Sequence, residues 1–160
     1  MKNMVDSEKS PKFAGMSYVV NLQHIVISTF GREMSIPEQT KRELYRYIYG
    51  IIVNNRSSVL RINGIGNHIH ILLNLHSTIA MAQMVQSIKQ GSSRWAKGNR
   101  ELFPSFKGWS KEYYSASVSF ADRNSVIEYI KGQEAHHLAH SYDAEINEML
   151  YETGFNPHTI

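Results

Sequence analysis

A chain of 160 residues with 42% hydrophobic and 11% aromatic side chains holds enough apolar material for one core and too little for two comfortable domains. It contains no cysteine, which excludes disulfides, thiolate-bound zinc and cysteine nucleophiles and leaves histidine, carboxylate, amide and hydroxyl groups to hold any metal. A formal charge of +3 and a pI near 9.1 favour a polyanionic partner, while the lack of a long apolar run or a secretion-signal core predicts a cytoplasmic protein without a membrane span.

Residues 1–16, MKNMVDSEKSPKFAGM, are polar and punctuated by proline and glycine, and read as a flexible leader ahead of a single domain over 17–160. The β-branched run SYVVNLQHIVISTF predicts a strand over 17–30, ended by Gly31. Pro37 suits a first helical turn, and Leu44, Ile48, Ile51 and Ile52 recur at helical spacing, giving a helix over about 37–54. SSVLRINGIGNHIHILLNL divides into two strands, about 57–63 and 68–75, joined by a turn built on Gly64, Gly66 and Asn67. A second helix over 78–97 draws its apolar face from Ile79, Met81, Ala82, Met84, Val85 and Ile88, with Gly91 weakening it locally.

YYSASVSF alternates as a fourth strand over 113–120. DRNSVIEYIKGQEAHHLAH is a third helix, with Ser125 and Glu128 at capping-box spacing and Gly132 weakening its middle; a short helix over 142–152 follows. The order β-α-β-β-α-β plus a helix is that of an α+β, ferredoxin-like (RNA-recognition-like) fold, an antiparallel sheet with helices on one face and the other face available.

In HIHILLNL, side chains alternate along the strand, so His68 and His70 share one face and Ile69 and Ile71 the other. Two imidazoles so placed fit one divalent metal, and equally fit a wet sheet face. On the third helix Tyr129 and Gln133 stand four residues apart, and His136, His137 and His140 continue the same side, opposite Val126, Ile127, Ile130 and Leu138. Taken singly, a tyrosine on an amphipathic helix is a half-buried packing residue and HHLAH is solvated surface.

Five segments in order give a more specific pattern: HIVISTFGR (24–32), GNHIHILLNL, MVQSIKQGSSRW (84–95), GWSKEYYSASVS (108–119) and VIEYIKGQEAHH (126–137). From about residue 18 to 140 the chain resembles the single-tyrosine HUH transposases, which mobilise insertion sequences as single-stranded DNA, and their relatives associated with repetitive extragenic palindromes (REPs). Glu112 stands where that family usually has glycine before the strand tyrosine. The resemblance implies Tyr129 as a nucleophile forming a 5′-phosphotyrosine link, with a free 3′-hydroxyl whose counterpart rejoins the strand. It implies a Mg2+ or Mn2+ ion held by His68, His70 and Gln133, a DNA hairpin as the recognised feature, and a homodimer in which the tyrosine helix serves the partner's histidine pair.

Around that centre, Lys89, Ser92, Ser93 and Arg94 cluster near the end of the second helix as candidates for phosphate contact, with Arg32 from the opening motif. Trp95, Trp109 and Tyr113 are candidates for stacking on unpaired bases, or for the core. Three rival readings stay open: a non-catalytic single-stranded RNA or DNA binder, a metal-dependent phosphodiesterase using water, and a transposase retained by its host without activity. Histidines on the middle strands, where an RNA-recognition module carries aromatics, favour metal chemistry.

Overall fold

The structure, a computed structural model, describes residues 17–138 and 140–154; the predicted leader over 1–16 lies outside them. Apolar residues at period two and period 3.6 build β1 (Leu22–Thr29), α1 (Lys41–Asn54), β2 (Ser58–Ile65), β3 (His68–Asn74), α2 (Met81–Gly98), β4 (Trp109–Val118), α3 (Arg123–Lys131), α4 (Gln133–His136) and α5 (Tyr142–Glu152). The four strands form an antiparallel sheet in the order β2-β3-β1-β4. This is the ferredoxin-like α+β arrangement that the element order predicts.

Register decides what each face carries. Ile25 and Ile27 of β1 pair with Ile71 and Ile69 of β3, and this face buries Leu44, Ile48 and Ile52 of α1 and Met84, Val85 and Ile88 of α2, closed by Phe103 and Phe106. Each such side chain contributes roughly 1.5–3 kcal/mol on leaving water. On the opposite face His24 pairs with Leu72, Val26 with His70 and Ser28 with His68.

The element order alone suggests that this second face stays available, but the later helices cover part of it. Leu22, Leu72 and Ile130 are buried together, with Leu60, Val118, Val126 and Ile127 packed against them. The apolar stripe of α3 requires a partner, and the sheet supplies it at one end. Asn63 of β2 fastens the helix there: its Nδ2 donates to Ile130 O, Lys131 O and Glu134 Oε2 at 3.0, 3.2 and 3.1 Å.

Several boundaries differ from expectation for identifiable reasons. The capping box at Ser125 and Glu128 is not used, because α3 starts at Arg123 and Ser125 already lies in its first turn; Ser119 accepts from the Asp122 N–H instead, in the preceding turn. The third helix breaks at Gly132, whose N–H reaches Glu128 O and Tyr129 O before α4 begins at Gln133. Gly64 belongs to β2 rather than to the turn, which is only Gly66 and Asn67. A Cβ on Gly64 would stand 2.2 Å from His68 O, so glycine is what lets the two strands approach. No helix among the described residues is long and apolar enough to cross a membrane.

Candidate active site

Strand alternation sets His68 and His70 side by side on the second face, both fully buried. Each ring is fixed from behind. His68 Nδ1 lies 2.7 Å from Asn67 Oδ1, and His70 Nδ1 lies 2.9 Å from His24 Nε2. Both Nε2 atoms therefore face the same point, where they meet Glu145 Oε1 at 3.2 and 2.8 Å.

Glu145 arrives from α5 and is 1% exposed. Its second oxygen, Oε2, accepts from the Tyr129 hydroxyl at 2.6 Å and from Gln133 Nε2 at 3.2 Å. His136 Nε2 and His137 Nε2 stand 3.1 and 3.2 Å from the same oxygen. Gln133 Oε1 lies 3.0 Å from His137 Nε2 and 3.3 Å from His68 Nε2. Helix α5 is held in place at its start, where Arg32 pairs with Asp143 and covers the Tyr142 ring, and that ring packs on His68 with centroids 4.7 Å apart.

These contacts act on the protonation of the groups. Burial would raise the Glu145 carboxyl, but the hydrogen bonds of His68 and His70 outweigh it and hold the group well below the usual carboxylate range. Burial, reinforced by the Glu145 charge and hydrogen bond, pushes the Tyr129 phenol far above its ordinary value. Burial and the neighbouring His70 lower His24 to about 3, and His70 is shifted the same way, chiefly by burial.

The donor set fits a divalent cation. His68, His70, His137 and Glu145 each present one ligand atom, and the four atoms lie within 4.8 Å of one another. His136 Nε2 is buried beside them, 3.1 Å from Glu145 Oε2 but without the geometry of a hydrogen bond to it. An open groove lined by His24, Tyr114, Val126, Tyr129, His136 and Met149 leads to the phenol from the side.

Of the residues selected from sequence, Tyr129, His68, His70 and Gln133 come together here. His24, His136, His137 and Glu145 join them without having been selected as site residues. Glu145 had a legible signal: Tyr142, Glu145, Ile146 and Met149 follow the i, i+3, i+4, i+7 spacing of a buried stripe, and a carboxylate in such a stripe needs a reason.

The candidate DNA contacts are more dispersed. Lys89 Nζ donates to the carbonyls of Ser110 and Lys111 at 2.7 and 2.9 Å and lies over the Tyr113 ring. Ser92 is fully buried, donating to Ile88 O and accepting from Trp109 Nε1, so it faces the core instead of a phosphate. Trp95 stacks on Tyr47 with ring centroids 4.7 Å apart. Arg94 is exposed, Ser93 is half-buried, and Tyr113 is 39% exposed. Arg32 is committed to α5.

No curated protein matches the chain in sequence. Several solved structures share its fold. A "putative transposase" from Deinococcus radiodurans R1 aligns with a TM-score of 0.56 at 20% identity, covering 74% of this chain and 95% of that one. A REP-associated tyrosine transposase bound to a REP hairpin aligns with a TM-score of 0.59 at 12% identity, covering 76% of this chain and 72% of that one. The model of the IS200-like transposase family matches residues 18–133, most of the chain, and this protein belongs to that family.

Proposed function

We propose that this chain cuts and rejoins single-stranded DNA by transesterification, with Tyr129 as nucleophile and a hairpin at the DNA end as the recognised feature. One observation carries the reading: within a single chain the Tyr129 hydroxyl and the His70 imidazole are separated by one carboxylate, Glu145, at 2.6 and 2.8 Å. Neither a packing tyrosine nor a wet-face histidine pair accounts for that convergence. The hairpin is supported by the REP hairpin that the similar transposase binds.

His68 and His70, with Gln133 at their side, would hold Mg2+ or Mn2+. When bound, such an ion polarises the scissile phosphate and steadies the departing 3′-oxygen. The chain's own residues do the rest. The groove beside Tyr129 admits the strand, and the phenol oxygen attacks phosphorus as its proton passes to an acceptor. The P–O3′ bond breaks, and the 3′-oxygen leaves as a hydroxyl by taking up, through that acceptor, the proton that the phenol released. The 5′-phosphotyrosine conserves the ester energy, and attack by another 3′-hydroxyl releases the tyrosine. Burial and the Glu145 carboxylate favour the protonated form of the Tyr129 phenol. Arg94, Ser93, Lys89 and Tyr113 are the remaining candidates to bind the strand, with Arg32 indirectly through α5.

Incubation with labelled single-stranded hairpin DNA and Mn2+, followed by denaturing electrophoresis, tests this. A covalent adduct is expected with the wild type and not with Tyr129→Phe. No adduct across a broad hairpin library would favour the non-catalytic binding module, although the covered sheet face is where an RNA-recognition module would stack bases.

A second reading concerns which subunit Tyr129 serves. The bonds of Asn63 to α3 and α4 favour action within one chain, whereas the helix break at Gly132, between Tyr129 and Gln133, favours exchange across a homodimer. Mixing Tyr129→Phe with His68→Ala subunits restores cleavage only if sites are shared.

A further inference from the structure

We infer that Glu145 and His137 are ligands of the divalent cation alongside His68 and His70, so that α5 is part of the metal centre and the set selects a first-row transition ion over magnesium. This rests on the metal reading above and changes its ligand set.

Geometry is the first support. The four candidate ligand atoms lie within 4.8 Å of one another, close enough to surround one ion. Gln133 stands one step back: its amide nitrogen donates to Glu145 and its oxygen lies 3.0 Å from His137, which suits it to aim two ligands.

The second support is charge. A carboxylate that is 1% exposed is costly to bury unless a cation answers it. The ion-pair partners of Glu145 among the described residues are imidazoles alone, with no lysine or arginine within reach. A divalent ion held by the same imidazoles would supply the full positive charge that no lysine or arginine brings.

The third is orientation. Metal-binding histidines are commonly held through their other nitrogen, and Asn67 and His24 hold His68 and His70 in this way. The clasp of Arg32 and Tyr142 at the start of α5 separately fixes the helix that delivers Glu145. Three imidazoles and one carboxylate make a set suited to Mn2+, Co2+ or Zn2+, whereas Mg2+ prefers oxygen and water.

Titration calorimetry of the metal-stripped full chain with Mn2+, Zn2+ and Mg2+ tests the inference. Wild type is expected to bind Mn2+ and Zn2+ more tightly than Mg2+. Glu145→Gln and His137→Ala are expected to weaken Mn2+ binding by at least about tenfold, and Gln133→Ala by less. Electron spin-echo modulation of bound Mn2+ should report three coordinated imidazoles in wild type and two in His137→Ala. If Glu145→Gln does not fold, Glu145→Asp and His137→Ala carry the test. Wild-type affinity in Glu145→Gln, or in that pair, together with loss in His68→Ala, overturns the inference and leaves the metal reading standing. Unchanged binding in His68→Ala, or no binding by wild type, overturns the metal reading itself.

Discussion

Asn63 Nδ2 donates to Ile130 O at 3.0 Å, joining the second strand to the last turn of the helix that carries Tyr129. The amide answers two carbonyls that a helix C-terminus leaves unpaired, together with the Glu134 carboxylate. Asn63→Ala is therefore expected to cost about 1–3 kcal/mol in urea unfolding and to lower adduct formation while leaving the protein folded. Unchanged stability would mean that α3 is held by its apolar stripe alone.

Acid should destabilise the metal-stripped protein. His24 titrates at about 3 when folded against 6.5 in a free chain, so below pH 6.5 the unfolded state takes up a proton that the folded state refuses. Stability is lost as pH falls through that window, by up to about 1.4 kcal/mol per pH unit for this one group. The lowered His70 acts in the same direction. Glu145 adds its own loss as pH falls below the unfolded carboxylate value, because its folded form stays ionised further into acid. The urea midpoint is expected to drop from pH 7.5 to 5.5, and less steeply in His24→Gln; a flat profile would contradict the burial of neutral imidazoles.

Two glycines should respond oppositely to alanine. Gly64→Ala drives a methyl into His68 O and should destabilise the fold and displace the histidine pair, visible as lost Mn2+ binding. At Gly132 a Cβ makes only ordinary contacts, 3.6 Å from Glu128 O and 3.7 Å from Tyr129 O, so Gly132→Ala should raise stability by up to about 1 kcal/mol. If the break between α3 and α4 serves movement, the same variant forms adduct more slowly despite its higher melting temperature.

Arg94 and Ser92 stand two residues apart in α2 but face differently, Arg94 towards solvent and Ser92 into the core. Arg94→Ala should weaken hairpin binding at every sequence and reduce the salt dependence of log K by about one charge. Ser92→Ala should leave that slope unchanged and cost about 1–3 kcal/mol of stability, because the Trp109 N–H loses its acceptor.

What the sequence made legible follows from periodicity. The histidine pair shares a face because β3 alternates without interruption, and Tyr129 and Gln133 share a side because they stand one turn apart, even across the break at Gly132. The start of β4 was obscured because GWSKE lacks alternation; its pairing with β1 comes from the sheet, not from local preference. The covering of the second face was hidden because the three helices that cover it are short, and their faces acquire meaning only against Leu22 and Leu72. Glu145 was hidden for a related reason. Among Asp143, Glu148 and Glu152 it looks like one more solvated acid until the stripe it interrupts is recognised.

Among the described residues, every strand and every histidine that faces Glu145 precedes it in the chain. A ribosome thus releases the imidazoles first and their carboxylate afterwards. While translation is still under way the nascent polypeptide carries the phenol and the paired rings without the group that joins them, and the centre is assembled only when α5 emerges and docks.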